Sequence, residues 1–193
     1  MRPSQTGPLK WHWTRQILRS LILVSLFAVM CNVLTTQVQA QAANEYQVKA
    51  AFIYNFAKFV DWPGDAFGEG GVLVVGVVGD DPFGRTLDQL QGNTANGRRL
   101  RIKRLRWDED LRSCQILFIS NSERRHLGKI MDSIRGTSVL TIGEMPQFNQ
   151  AGGIIKFVIQ DDKVRFEINA GAAGQARLRI SSKLLALSKG GKT

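Results

Sequence analysis

Two adjacent carboxylates, Asp80 and Asp81, follow the β-branched run Val72-Leu-Val-Val-Gly-Val-Val78 in the segment Gly79-Asp-Asp-Pro-Phe-Gly84. Acids at the carboxyl end of a buried parallel strand occupy the usual ligand position of an open α/β sheet, and such a pair could hold Mg²⁺. The structural alternative is that Asp80 or Asp81 caps the helix that Pro82 opens, through a side-chain oxygen. Phosphoryl chemistry would also need a lysine, a threonine or a third carboxylate at matching strand ends, and the sequence supplies none there. His126, in Glu-Arg-Arg-His, reads as part of a charged helix face rather than a general base. No Cys/His cluster has metal-ligand spacing, and no GxSxG elbow, P-loop or GxGxxG occurs. Gly68-Glu-Gly-Gly71 precedes a strand and reads as a turn. These residues assign neither a cofactor nor a metal, and an enzyme is not the expected class.

Recognition has better candidates than catalysis. The loop from Gly143 to Gly153 holds Glu144 and Phe148, and a loop of this kind should lie at the surface, where its backbone polar groups are satisfied. Phe148 is then either a lid over the core or an anchor for a partner. Six cations fall within the nine residues Arg98 to Arg106. They fit a solvated edge strand, since cations blunt sheet edges, or a surface for an acidic partner. Lys49 lies inside the apolar arc of the first helix. Its stem either runs along the core with the ammonium in water, or its charge is aimed at a ligand or partner.

The elements that must position these residues follow from periodicity. Residues 45 to 61 read as a helix whose apolar arc is about 200° wide, broad enough to pack on two sides, and Trp62-Pro63 ends it. Strands are expected at Val72 to Val78, Leu100 to Leu105, Ile116 to Ser120 and Ser138 to Ile142, with helices from Pro82 to Leu90 and from about Ser122, capped by Asn121 or Ser122, to Ile134. Ile154 to Gln160 and Lys163 to Ile168 form a hairpin around Asp161-Asp162. Asn169 caps a short helix, and Ser181 or Ser182 caps a last one carrying Leu184, Leu185 and Leu187. Strands alternating with helices imply a parallel core. The expected fold is a single three-layer α/β domain, with a mixed, mostly parallel sheet of five to six strands, helices on both faces and a C-terminal β-hairpin.

Residues 1–40 read as a secretory signal peptide. Arg2, Lys10, Arg15 and Arg19 precede the apolar run Leu21 to Met30, and Val38-x-Ala40 suits cleavage after Ala40. The run is shorter than the roughly 20 residues of a spanning helix. Met30 before Cys31 does not suit a lipoprotein signal. The expected domain is 41–193, placed in the periplasm, which makes nucleic acid a poor partner. Without the leader's four cations the chain keeps 22 basic against 16 acidic side chains, a net of +6. Cys114 is its one cysteine, expected to be buried and inert.

The ordered segments YQVKAAFIYNFAKFVDWP, GDDPFG, ILFIS, TIGE with FNQAGGIIKFVI, and VRFEIN followed by ISSKLLALS resemble the YfiR family, or DUF4154, from about Glu45 to Ser188. The resemblance implies an exported, non-catalytic negative regulator that can form a homodimer. Its implied partner is the periplasmic part of an inner-membrane diguanylate cyclase of the YfiN type, repressed to lower cyclic di-GMP and so to affect biofilm formation. An OmpA-like outer-membrane lipoprotein of the YfiB type would relieve the repression. A small-molecule sensor acting with a membrane histidine kinase is the alternative. Within the matching motifs, partner or ligand binding is expected from Lys49, Asp80, Asp81, Glu144, Phe148, Phe157, Glu167, Ser182 and Lys183. The family's best-known member carries a disulfide near the region of Gly143 to Phe157. This chain has no cysteine there, so redox control of that kind does not carry over.

Overall fold

A computed structural model describes residue 41, residues 44–68 and residues 70–188. The expected signal peptide and the Lys189 to Thr193 tail lie outside the described residues. Helix α1 covers 44–59. It stops two residues earlier than its apolar pattern suggests, because Val60–Asp61 (β1) pairs antiparallel with Arg179–Ile180 (β9). A two-residue strand leaves no periodic signal of its own.

The main sheet has seven strands in the order β3-β4-β2-β5-β6-β7-β8. Its centre is parallel: Arg98–Leu105 (β4), Leu73–Val78 (β2), Ile116–Ile119 (β5), Leu140–Gly143 (β6) and Ile155–Gln160 (β7). Thr94–Ala95 (β3) and Lys163–Ile168 (β8) join antiparallel at the two edges. Six of the seven are the expected strands; β3 falls between expected elements, in the polar, Gly/Asn-rich stretch Gln91 to Gly97 that reads as a turn. The β7–β8 connection uses Asp161 and Asp162 at φ 50° and 55°. Positive φ at both central residues is what a two-residue turn needs to match strand twist.

β2 is buried on both faces, as its unbroken apolar run requires. Leu73, Val75 and Val77 face a core shared with α1, with Leu87 of Arg85–Asp88 (α2), Ala173 of Ala170–Gln175 (α4) and Leu184 of Ser182–Leu187 (α5). Val74 and Val78 face a second core under Leu127 and Ile130 of Leu127–Ser133 (α3). Layers of helix, sheet and helix result, in a mixed and mostly parallel arrangement. The expected helices after β2 and β5 are shorter than their patterns. Gly84 at φ 52° delays the first, and the 3₁₀ turn Asn121–Glu123, capped by Ser120, replaces the start of the second. The expected caps Asn169 and Ser181 accept from the backbone of Ala172 at 3.0 Å and Leu184 at 3.3 Å.

Parallel strands β6 and β7 are joined without a helix. The loop winds around Phe148, which is fully buried in the second core. Its ring lies so close to Gly143 and Gly153 that a Cβ would come within 2.5 Å and 2.3 Å of ring carbons. Cys114 is also buried there, and burial pushes its thiol from 9.0 up to about 11. Native protein at pH 8 is expected to resist iodoacetamide, whereas urea-unfolded protein reacts at Cys114. Rapid labelling of the folded chain, read by mass spectrometry, would contradict this placement.

Candidate functional site

The first turn of α1 reaches the carboxyl ends of β5 and β6, and four of the nominated residues gather near it. Lys49 is only 2 % exposed. Its ammonium contacts Glu45, one turn earlier on α1, and lies 2.7 Å from Glu144 Oε1 just beyond β6. It also sits 4.3 Å from the Tyr46 ring centroid and 5.9 Å from that of Phe157 on β7. Tyr46 donates its hydroxyl to Glu144 Oε2 at 3.2 Å. Of the two readings of this lysine, the one that puts its ammonium in water is corrected. Two carboxylates and an aromatic face hold the charge inside, and a buried ammonium persists only with such partners.

Electrostatics at this site keep the Tyr46 hydroxyl protonated. Burial, reinforced by the Glu144 carboxylate, holds the Tyr46 hydroxyl well above its ordinary value. It remains a donor throughout the neutral range. Glu144 Oε1 is buried and meets Lys49 as an ion pair without hydrogen-bond alignment. Lys156 and Glu167 lie opposite each other in the β7–β8 register and pair at 2.8 Å. A cleft of about 360 Å³ opens beside the cluster, lined by Glu45, Lys49, Asn121, Glu144, Lys156 and Phe157 among others. Its position at the carboxyl ends of parallel strands is the ligand side of an open sheet.

The other nominated residues lie elsewhere. Asp81 does not cap α2, whose N-cap Gly84 has no side-chain cap; it holds the loop before that helix. Its Oδ1 accepts from the backbone of Phe83 at 2.8 Å and of Gly84 at 3.3 Å. Its Oδ2 accepts from Arg104 Nη2 and Nε at 2.9 Å and 3.0 Å. Both carboxylate oxygens are thus engaged. Asp80 is exposed, and its backbone N–H donates to Ser122 Oγ at 3.0 Å. Phe83 links this loop to the cluster, with its ring 5.3 Å from Tyr46. Phe148 and Phe157 are both buried, Phe148 completely, while Phe157 also lines the cleft. A ring clamped between two glycines anchors its own loop. Ser182 and Lys183 are exposed on the first turn of α5.

Three cations of the basic stretch are also occupied, Arg106 by Asp108 at 2.6 Å. Arg104 holds Asp81, Asp88 and the Gly84 carbonyl, and Arg98 stacks 3.6 Å from the Phe67 centroid while donating to the Gly71 carbonyl. His126 stacks on Trp107 at 4.4 Å and meets Glu123 through Nδ1 at 2.7 Å. Glu45, Tyr46 and Lys156 escaped the sequence reading. The spacing of Glu45 and Lys49, four apart on a helix, was the available signal for one of them. Among the described residues, no three His, Cys, Asp or Glu side chains come together to hold a metal ion. No described helix is long and apolar enough to cross a membrane.

The family model DUF4154, described as YfiR/HmsC-like, matches residues 46–189, from the Tyr46 of this cluster to just beyond α5. No curated protein matches the chain. The matched span takes in α1 from Tyr46 on, all seven strands of the main sheet and the Lys49–Glu144 pair, and the chain belongs to the YfiR/HmsC-like family.

Proposed function

We propose that this protein is an exported, non-catalytic regulator that binds the periplasmic sensor part of an inner-membrane signalling enzyme and represses it. The enzyme is a diguanylate cyclase, so that repression lowers cyclic di-GMP. The observation that carries the reading is family membership across 46–189. The fate of the titratable groups supports it. Asp81, Glu144 and Lys49 are held by pairs within the chain, so none is left poised as a base or nucleophile. The N-terminal cations and apolar run support export. A YfiB-like outer-membrane lipoprotein is the partner that would relieve the repression. The test is affinity capture of the tagged exported protein from detergent-solubilised membranes. A transmembrane cyclase should be retained, and its activity should fall when the pure protein is added back. Capture of a cyclase whose activity is unaffected would refute repression.

The cleft beside Lys49, Glu144 and Lys156 favours a second reading, a small-molecule sensor working with a membrane histidine kinase. A ligand that binds only the folded state must raise its stability. A thermal-shift screen of amino acids and small organic acids should then find a stabilising compound whose effect is lost in Glu144→Gln. A screen without a hit would remove this reading and leave the first intact.

A further inference from the structure

We propose that the face of β4 on the side of the second core is a docking surface for an anionic phospholipid bilayer, held by Arg99, Arg101 and Lys103. The inference stands on the charge of this face and does not depend on which enzyme is regulated. Successive side chains of a strand point to opposite faces. Leu100 and Ile102 pack in the first core and Leu105 against the second, so Arg99, Arg101 and Lys103 share the side of Leu105. Arg99 and Arg101 are exposed and Lys103 is half-buried. None of the three has an ion-pair partner among the described residues, whereas Arg104, on the opposite face, holds Asp81 and Asp88, and Arg106 holds Asp108. Of the other acids in the connection from β4 to β5, Asp110 accepts from the Arg112 N–H at 3.1 Å, and Glu109 alone is left to set against three cations.

The topology leaves this face open. A parallel crossover usually carries a helix. The crossover from β4 to β5 carries only the 3₁₀ turn Leu111–Ser113, whose Leu111 is buried in the second core. Among the described residues α3 is the one α-helix that contributes to that core, and its Leu127 and Ile130 share it with Leu117 and Ile119 of β5. The outer strand β4 therefore keeps a row of cations where a covering helix would have required apolar residues.

Charge complementarity and geometry select the occupant. Alternate residues of a strand stand about 7 Å apart. Cations in such a row do not converge on one small anion, but they match anions spread over a plane, as lipid headgroups are. An acidic peptide adding as a further strand is excluded by the edge itself. β3 pairs with Arg98 and Arg99, the Leu100 N–H donates to the Asn93 carbonyl at 2.8 Å, and the Ile102 N–H donates to Gln91 Oε1 at 2.8 Å. Trp107 follows β4, packed in part against the second core, with the Lys129 ammonium 5.2 Å from its ring centroid. An amphipathic ring beside cations suits the headgroup level of a bilayer.

Co-sedimentation of the purified exported protein with lipid vesicles tests this. The protein should bind phosphatidylglycerol vesicles at low salt, leave them as salt rises, and ignore phosphatidylcholine vesicles. Arg99→Gln with Arg101→Gln should weaken binding about twentyfold, at roughly fivefold for each cation near an anionic surface. Both side chains are exposed, so the urea midpoint should stay in place. Lys163→Gln with Arg165→Gln removes the same charge from β8, at the other edge of the sheet, and should change binding less than twofold. Failure to bind phosphatidylglycerol overturns the proposal. Equal losses in the two double variants also overturn it, because net charge rather than this face would then carry the binding. So does a β4 variant that binds vesicles like the wild type but no longer captures a membrane protein in detergent, since the face would then belong to an acidic protein.

Discussion

Lys49→Met is expected to destabilise the domain by about 3 kcal/mol in urea unfolding, a large share of the stability of a domain this size. Methionine keeps the buried stem and removes the charge. Glu144 then sits with Oε1 buried and only the Tyr46 hydroxyl to satisfy it. Breaking a buried pair costs more than never having it, because the remaining ion has lost its hydration. Lys49→Met combined with Glu144→Gln should therefore recover most of the loss, and the sum of the single effects should exceed the double. A double variant as unstable as the sum would show that Lys49 acts through packing alone.

Phe148→Ala should cost about 3 to 5 kcal/mol, the ordinary range for a fully buried phenylalanine. The cost should stand at the upper end. The Gly143 and Gly153 backbones that flank the ring carry no side chains able to fill the space. The loop joining β6 to β7 should lose its form with the ring, which places Lys49's partner Glu144 at risk as well. Urea unfolding monitored by circular dichroism measures the loss. If Phe148 were an exposed partner anchor, alanine would weaken capture of the membrane partner and leave the unfolding midpoint in place. That pattern would contradict its burial.

The fold class was legible because the apolar patterns are strong. The run at β2 has no polar residue, β8 alternates cleanly, and the α1 arc is too wide for a surface helix. Six strands of the main sheet carry such patterns. β3 and β1 have two residues each, and a period cannot be read from two residues. β1 exists by pairing with the distant β9, and β3 by pairing with β4 across a two-residue turn. Lys49 was recognised as anomalous, but its environment was not. Glu144 is 95 positions away in sequence, and only the parallel crossovers bring it to the first turn of α1. Phe148 illustrates the reverse case. The loop reads as a surface segment with Phe148 as lid or anchor, whereas the ring is buried and leaves no room for a Cβ at Gly153.

The stripe Arg98 to Arg106 was similarly ambiguous in sequence. Arg98 and Arg104 fasten loops at opposite ends of β4, so part of the basic charge is structural. Their partners, the Gly71 carbonyl and the Asp81 carboxylate, are set by the β2–β4 register, which sequence does not display.

Repression of a cyclase is tested most directly by cellular cyclic di-GMP in host cells lacking this gene, measured beside cells complemented with it. The expected result is a rise in the deletion strain that returns to the parental level on complementation with the exported protein. An unchanged or lower level in the deletion strain would contradict repression of a diguanylate cyclase.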